Sequence, residues 1–461
     1  MPKWLQPHSH HGMLLLFHDV LALYVAVGVV HKVRLGYWVP QIDFSLLSII
    51  AVTVVSLYVM NVYVIDRRMT GTKVILRTFV GVVLGGTIVA SFIYLTKSTT
   101  ATTVFWRGNL PLSMLIFALW AIVVRYAVTS VWRRFVREPR WLVIGSGPRA
   151  ELLRKEQAAT SLSESLDFLS VKSEDLASLR LEYDRDDIRV SNPPRDIYSG
   201  RISGVVLADD QVLPETFVTQ LMGIRLKGVP ILDLPDYYEQ KLLRVPVLQL
   251  QDGWFALTQG FSLIHHDIEM KIKRIIDVVL AVISLCLLSP LLVAIAISVM
   301  LSSHGPIFYS QTRCGHRGRD FRLHKFRTMV KDAEEQGVPR WAEPDDPRIT
   351  RVGKILRALR ADELPQLWNV LIGDMSFIGP RPERPDFVQQ LENEIPYYDL
   401  RHLVKPGITG WAQVMYPYGA SIGDARRKLE YDLYYIKNYS LALDLYIFIR
   451  TVRVVCSAMG R

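Results

Sequence analysis

Four apolar segments follow one another in the first 132 residues: Met13 to Val30, Phe44 to Ile65, Val74 to Leu95 and Leu110 to Trp132. Each comes close to the ~20 residues that a helix needs to cross a bilayer, so the pattern predicts a bundle of four transmembrane helices. Half of the 461 residues are hydrophobic, which agrees with a bilayer as part of the solvent. Arg67, Arg68, Lys73 and Arg77 follow the second segment, and Arg133, Arg134, Arg137 and Arg140 follow the fourth. By the positive-inside rule both ends of the bundle face the cytoplasm. Intramembrane charge is sparse and no repeat relates the segments, which argues against a transporter built from these four alone. The first apolar run continues into others, so no cleavable signal peptide is expected.

From about Arg140 the chain becomes more polar. "RWLVIGSGPRAELLR" reads as an apolar strand entering Gly145-x-Gly147-x-x-Ala150 and then a helix, an abbreviated dinucleotide-binding fingerprint. "ISGVVLA" at 202–208 and "GVPILDL" at 228–234 add strands, which gives a Rossmann-like α/β domain over 138–266. The acidic residue that would anchor a ribose about 20 residues further on is missing. Gly145 and Gly147 therefore fit a scaffold or sensor domain better than a working NAD site.

A fifth hydrophobic stretch, Val278 to Leu301, carries no charge over 24 residues. A straight helix of that length, ~36 Å, would cross a ~30 Å hydrocarbon core. Pro290 divides it into halves of ~18 Å, each too short to cross alone. Lys271, Lys273 and Arg274 precede it and Arg313, Arg317 and Arg319 follow, so both flanks prefer the same face. The expectation is a re-entrant helix over about 274–303 that breaks at Ser289-Pro290 and returns. A Pro-kinked spanning helix is the other reading, since bilayers tolerate one, and it would export the basic C-terminal half.

The net charge of +10 suits anionic partners such as lipid head groups, phosphorylated substrates or nucleic acid. Cys286, Cys314 and Cys456 are far apart and make neither a disulfide framework nor a zinc pattern. No helix-turn-helix or RNA-binding signature accompanies the charge, so nucleic acid is not expected as a partner.

Chemistry is expected in 267–461. "PIFYSQTRCGHRGRDFRLHKFRTM" reads as a hairpin turning at Gly315 to Gly318, with Arg313, Arg322, Lys325 and Arg327 around it. Ile349, Val352, Leu356 and Leu359 then mark one helical face, and Arg351, Lys354, Arg357 and Arg360 a neighbouring one. This basic stripe leads to the adjacent carboxylates Asp362 and Glu363. Asp362 can act as the N-cap of the next helix, with Glu363 and Pro365 in its first turn. The same carboxylate lies between arginines at a helix start, beside a ready phosphate site. Asp can attack phosphorus to form an acyl phosphate, and a neighbouring Glu can hold Mg²⁺ together with substrate phosphates.

The runs "KRIIDVVLAVISLCLLSPLL", "HKFRTM", "RADELPQLWNVLIGDMSFIGPRPE", "KPGITGWAQV" and "YDLYYIKN" occur in an order that closely resembles the bacterial sugar transferases, the monotopic phosphoglycosyl transferases. With four N-terminal helices (1–137) and the middle domain, the chain is similar to the large subgroup that begins exopolysaccharide assembly. The resemblance implies a mostly helical monotopic catalytic domain with a re-entrant membrane helix, on the cytoplasmic face of the bacterial inner membrane. It implies transfer of hexose-1-phosphate from a UDP-hexose, glucose before galactose, to undecaprenyl phosphate with release of UMP. Asp362 would be the nucleophile, with Glu363 binding Mg²⁺ or assisting it. Lys325, Arg327, Arg381 and Arg313 would serve phosphate. Lys273, Arg274, Asp277, Ser289 and Pro290 would position the re-entrant helix among membrane lipids. A homodimer through the middle domain is a further expectation. The competing class is a non-catalytic scaffold or nucleotide-sensing regulator of polysaccharide export, which would need no intact Asp362. In the resemblance itself, the Gly-Pro-Arg-Pro turn can simply end a helix, Trp411 can anchor the fold at the interface, and "YDLYYIKN" begins helices that either lie on the membrane or pack in a core.

Overall fold

The computed structural model describes residues 9–38, 44–60, 62–63, 71–96, 108–135, 140–145, 147–159, 165–169, 180–184, 187–191, 202–208, 213–250, 252–258, 260–261, 267–330, 346, 348–416, 419 and 421–456. Arg67, Arg68, Arg137 and most of the loop 334–346 lie outside them. Two compact units result, one reaching from the N-terminal helices to Arg140 and one built on the residues from Trp141 onward.

The first unit holds α1 (Ser9–Leu35), α2 (Phe44–Val59), α3 (Gly71–Thr96) and α4 (Asn109–Phe135). Leu23, Val27, Leu46, Ile49, Leu57, Val82, Phe117 and Ala121 fill its core, while Leu14, Phe17, Leu76, Phe79, Leu119 and Trp120 point outward. Apolar side chains inside and outside together suit a lipid surround. Asp19 and Arg125, charges on two of these helices, are both buried and paired with each other, Arg125 Nη1 donating to Asp19 Oδ1 at 3.1 Å. α1, α3 and α4 are long and apolar enough to cross a membrane. α2 ends at Val59, where Val62 N–H closes back on the Leu57 carbonyl, and the end of its apolar segment at Ile65 lies outside the described residues. Its 16 residues span only ~24 Å.

The second unit begins with a four-stranded sheet of β1 (Arg140–Ile144), β2 (Ser165–Leu169), β5 (Gly204–Leu207) and β6 (Ile231–Asp233), ordered β2-β1-β5-β6. β1 pairs parallel with β5 (Leu142 opposite Val205), and β5 parallel with β6 (Val206 opposite Leu232). Uninterrupted apolar runs suit strands buried on both faces. The helices α5 (Pro148–Ala159) and α6 (Glu215–Leu226) follow β1 and β5, and Phe217, Leu221 and Ile224 pack onto Leu142, Ile144 and Val205. A separate antiparallel hairpin joins β3 (Arg180–Asp184) and β4 (Asp187–Ser191).

Next comes α7 (Asp267–Ser302), one 36-residue helix that contains Pro290. Proline lacks the N–H that would bond to the Cys286 carbonyl; the Ser289 hydroxyl donates to that carbonyl instead, at 2.8 Å. The helix therefore continues as a single run where a break is expected. Most of its length is exposed, Ile268 and Leu301 near its ends included, and it touches the rest of the unit at buried positions on either side of Pro290. Ala281 packs with Leu323, Val370 and Met375, whereas Ile295 and Val299 pack with Phe326 and Leu356. Both halves thus rest on the same globular body.

That body contains the expected hairpin, β7 (Phe308–Cys314) and β8 (Asp320–Phe326), paired from Phe308–Phe326 to Cys314–Asp320 and turning through Gly315 to Gly318. It continues with α8 (Arg351–Ala358), α9 (Gln366–Ile372), β9 (Ser376–Ile378), α10 (Pro385–Glu394), β10 (Gly407–Thr409), α11 (Trp411–Met415), α12 (Ile422–Lys437) and α13 (Leu441–Cys456). The Thr350 hydroxyl caps α8 by accepting from Gly353 N–H. α8 ends at Ala358, so Leu356 is buried as expected while Leu359 turns outward.

Candidate active site

Asp362 and Glu363 lie in a 3₁₀ turn, Ala361–Glu363, wedged between α8 and α9. Arg360 enters it in the left-handed conformation (φ 53°, ψ 22°) and reverses the chain sharply. The N-cap expected of Asp362 is not made. Pro365 holds the cap position of α9, and the 3₁₀ turn uses up the intervening residues. The Asp362 carboxylate is thus left free of helix capping.

Both carboxylates are 9% exposed, yet they are treated differently. Glu363 Oε1 accepts from Lys325 Nζ at 3.0 Å and from Arg381 Nη2 at 2.6 Å. Burial alone would raise its pKa, but the two cations hold it well below the usual carboxylate range. Asp362 makes no hydrogen bond or ion pair among the described residues. Burial and the adjacent Glu363 charge push its pKa above the ordinary aspartate value, against the opposing pull of Lys325, Arg357 and Arg381. Burial likewise lowers the Lys325 ammonium, with Glu363 working against that shift.

Three segments distant in sequence build this corner. Lys325 comes from β8, whose position against α9 is fixed by the buried Asn369: its Oδ1 accepts from His324 N–H at 3.1 Å and its Nδ2 donates to the Arg322 carbonyl at 2.7 Å. Arg381 comes from the loop after β9, and the Gly-Pro-Arg-Pro sequence proves to be a pinned platform, not a helix terminator. Phe377 N–H donates to Asp277 Oδ1, the Ile378 carbonyl accepts from the Tyr435 hydroxyl, and Gly379 N–H donates to the Thr409 carbonyl. The Pro380, Arg381, Pro382 and Glu383 carbonyls accept from Gly407 N–H, Arg401, Arg313 and Cys314 N–H respectively. β9 and β10 pair in parallel so closely that a Cβ on Gly379 would strike the Lys405 carbonyl, and one on Gly407 would strike the Gly379 backbone.

The other expected residues divide into two groups. Lys273, Arg274 and Asp277 root α7 in the body: Lys273 pairs with Asp444 (2.6 Å), Arg274 donates to the carbonyls of Val370 (2.6 Å) and Leu371 (2.8 Å), and Asp277 holds β9. Arg327 and Arg313 are turned to the backbone. Arg327 donates to the Ser303 carbonyl and hydroxyl just beyond α7, and Arg313 to Pro382 and to Gln311. Neither meets the dyad in this geometry. Arg357, named only as part of the basic stripe, is the further cation acting on Asp362, and its Nε donates to the Thr328 hydroxyl. No local pattern in the sequence marks Asn369, Arg401 or Asp432. Each acts on residues far away in sequence, which no local spacing reports.

Gly145 lies at the end of β1 and Gly147 just before α5, where Arg149 donates to the Gln249 carbonyl. Trp411 is buried, its indole N–H donating to the Leu243 carbonyl at 2.9 Å, so it ties the two parts of the unit together and does not face a membrane. "YDLYYIKN" forms the buried end of α12 and packs in the core, whereas α13 after it leaves Leu445 and Phe448 exposed. Mg²⁺ is generally held by one or two carboxylates, with phosphate and water completing the shell. The dyad supplies two, and among the described residues no group of three or more His, Cys, Asp or Glu offers an all-protein site. The site fits a metal that arrives with phosphate.

Residues 268–458 match the family described as bacterial sugar transferase. The chain is 43% identical over 267 residues to a UDP-N-acetylgalactosamine-undecaprenyl-phosphate N-acetylgalactosaminephosphotransferase of Aeromonas hydrophila, covering 58% of this chain and 62% of that one. It is 45% identical over 232 residues to a UDP-glucose:undecaprenyl-phosphate glucose-1-phosphate transferase of Escherichia coli, covering 48% of each. The chain thus spans between about half and three fifths of these two relatives. With an uncharacterized sugar transferase of Bacillus subtilis the identity is 40% over 195 residues, 41% of this chain but 90% of that one. A match over nearly the whole of a relative, together with the family match, places this chain in the bacterial sugar transferase family.

Proposed function

We propose that this chain transfers a hexose-1-phosphate from a UDP-hexose to undecaprenyl phosphate through a covalent intermediate on Asp362. The observation that carries the reading is the unequal pair: Glu363 is ion-paired to Lys325 and Arg381, whereas Asp362, one residue away and near the same cations, keeps an uncommitted carboxylate. An uncommitted oxygen beside fixed positive charge is what attack on a phosphate diester needs.

In the first step an Asp362 oxygen bonds to the sugar-bearing phosphorus, the anhydride bond breaks, and UMP leaves with the electron pair. In the second, the undecaprenyl phosphate oxygen attacks the same phosphorus, the acyl phosphate bond breaks, and the carboxylate is restored. One anhydride replaces another, so the site's task is alignment and charge neutralisation, which Lys325, Arg381 and Arg357 supply. Mg²⁺ accompanying the diphosphate would lie at Glu363 and add to that neutralisation. The relatives act on both glucose and N-acetylgalactosamine donors; UDP-glucose is our first choice here, ahead of UDP-galactose.

The setting supports a lipid acceptor. Ile355 and Leu359 on one side of the dyad, and Trp368 and Ile372 on the other, are large apolar side chains left exposed. They fit a body resting on a bilayer with the dyad at its surface. α7, which meets the body at Ala281 and again at Ile295 and Val299 and is largely exposed elsewhere, fits a helix that dips into that bilayer and returns by bending at Pro290 without losing its helical run. The protein would then sit in the bacterial inner membrane with this body on the cytoplasmic side, at the first membrane step of exopolysaccharide assembly.

The test uses purified protein, Mg²⁺, undecaprenyl phosphate and a panel of UDP-sugars. UMP release is expected, together with an intact mass increased by one hexose phosphate when the lipid is omitted. Neither is expected of Asp362→Asn. Full turnover by that variant would sink the covalent route through Asp362, whereas no UMP release by the wild type with any of the UDP-sugars would leave the scaffold or sensor role standing.

A further inference from the structure

We propose that Arg401 is a positioning residue for this reaction, one that holds Arg381, and through it the Glu363 carboxylate, in working register. The inference rests on the transfer reading above. Arg401 is 5% exposed in the 3₁₀ turn Tyr398–Leu403. Its Nη2 donates to Asp432 Oδ2 at 2.9 Å and to the Arg381 carbonyl at 2.9 Å, and its Nη1 donates to the Tyr398 hydroxyl at 2.5 Å. The Arg381 side chain reaches Glu363 Oε1 at 2.6 Å. A line of contacts therefore runs from Asp432 on α12 through Arg401 and the residue-381 backbone to the dyad.

The plain explanation of Arg401 is a buried ion pair that stabilises the fold. The surrounding loop argues for more. On either side of Arg381, the Pro380 carbonyl is already held by Gly407 N–H and the Pro382 carbonyl by Arg313. The loop's path is fixed without Arg401, so the grip on the Arg381 carbonyl bears on how that residue presents its guanidinium. A planar fork spreads its donors over two nitrogens and so reaches the carboxylate and the peptide carbonyl from one and the phenol from the other, whereas a lysine ammonium puts all three of its donors on a single atom. Evolution of such a site is costly, because a buried guanidinium must find a partner for nearly every donor.

The test is a cycle of Arg401→Gln, Arg381→Ala and the double variant, with UMP release and thermal midpoint measured for each. Arg401→Gln is expected to lower kcat about 10²-fold with KM little changed, the scale of a misplaced catalytic group. In the Arg381→Ala background the same change should add nothing. Arg401→Lys should restore little. If Arg401→Gln fails to fold, Arg401→Gln with Asp432→Asn removes both buried charges and should show the same kcat loss. Wild-type kcat in the folded variant, or losses that multiply across the cycle, would overturn the inference. Absence of UMP release from the wild type would instead defeat the reaction on which it rests.

Discussion

Two charged regions of the second unit invite comparison: the turn that carries the dyad, and the seam where α12 meets the α/β sheet. Along the seam the buried charges are matched. Arg244 pairs with Glu430 at 2.5 Å and with Glu156, Arg427 pairs with Glu156 at 2.8 Å and with Glu430 at 3.1 Å, and Lys437 pairs with Glu239 at 2.6 Å. At the turn, two cations converge on Glu363 while Asp362, equally buried, goes without. Matched buried charges hold parts together. An unmatched one costs stability, and is kept where chemistry needs it.

The largest effect that tests this contrast is expected from Asp362→Asn: loss of UMP release by at least about 10³-fold, as for removal of a covalent nucleophile. Its effect on stability should have the opposite sign. The folded-state pKa of Asp362 is raised, so folding favours its protonated form. That contribution is fully present below the unfolded pKa and is lost as pH rises through the folded one. The neutral amide removes this penalty, and the thermal midpoint at neutral pH should stay level or rise. A sharp fall would erase the distinction between the regions.

Glu363→Gln should come next, with kcat reduced about 10²-fold, since Lys325 and Arg381 lose the charge that aligns them. The seam should respond in the reverse manner. Arg244→Ala leaves Glu430 and Glu156 short of a partner and should cost about 3 kcal/mol of stability, measured by denaturant titration, with kcat per folded molecule unchanged. Ser289→Ala should have the smallest effect, about 1 kcal/mol, as the Cys286 carbonyl loses its replacement donor. For wild-type turnover, an acid limb lying above the ordinary aspartate range would match a raised Asp362.

Much of this layout is legible in the sequence because its signals are local. The apolar segments, the hairpin turn at Gly315 to Gly318 and three of the four strands of the sheet announce themselves by run length or period, whereas β2 does not. The dyad is legible too, from adjacency and motif. What escapes has two causes. Local chemistry can be satisfied in more than one way: an acidic residue before a helix is an equally good cap until Arg360 reverses the chain and Pro365 takes the cap position. Long-range partners leave no period at all. Nothing in "RHLVKPG" says that Arg401 will find Asp432, and nothing near Arg327 says that it will reach Ser303. The partners of Glu430 and Lys437 on α12, Arg244 and Glu239, lie before α7 in sequence and leave no local signal either.

The crossing of Gly379 and Gly407 sets a tolerance on all of this. Two backbones meet there with no room for a methyl group, like teeth of a closed zip. The stretch between them can lengthen or change without penalty at the crossing itself, whereas one added carbon at either glycine must part the strands, and the arginine two residues beyond Gly379 would swing with them. The guanidinium that pairs with Glu363 is thus kept on station by an absence of side chain.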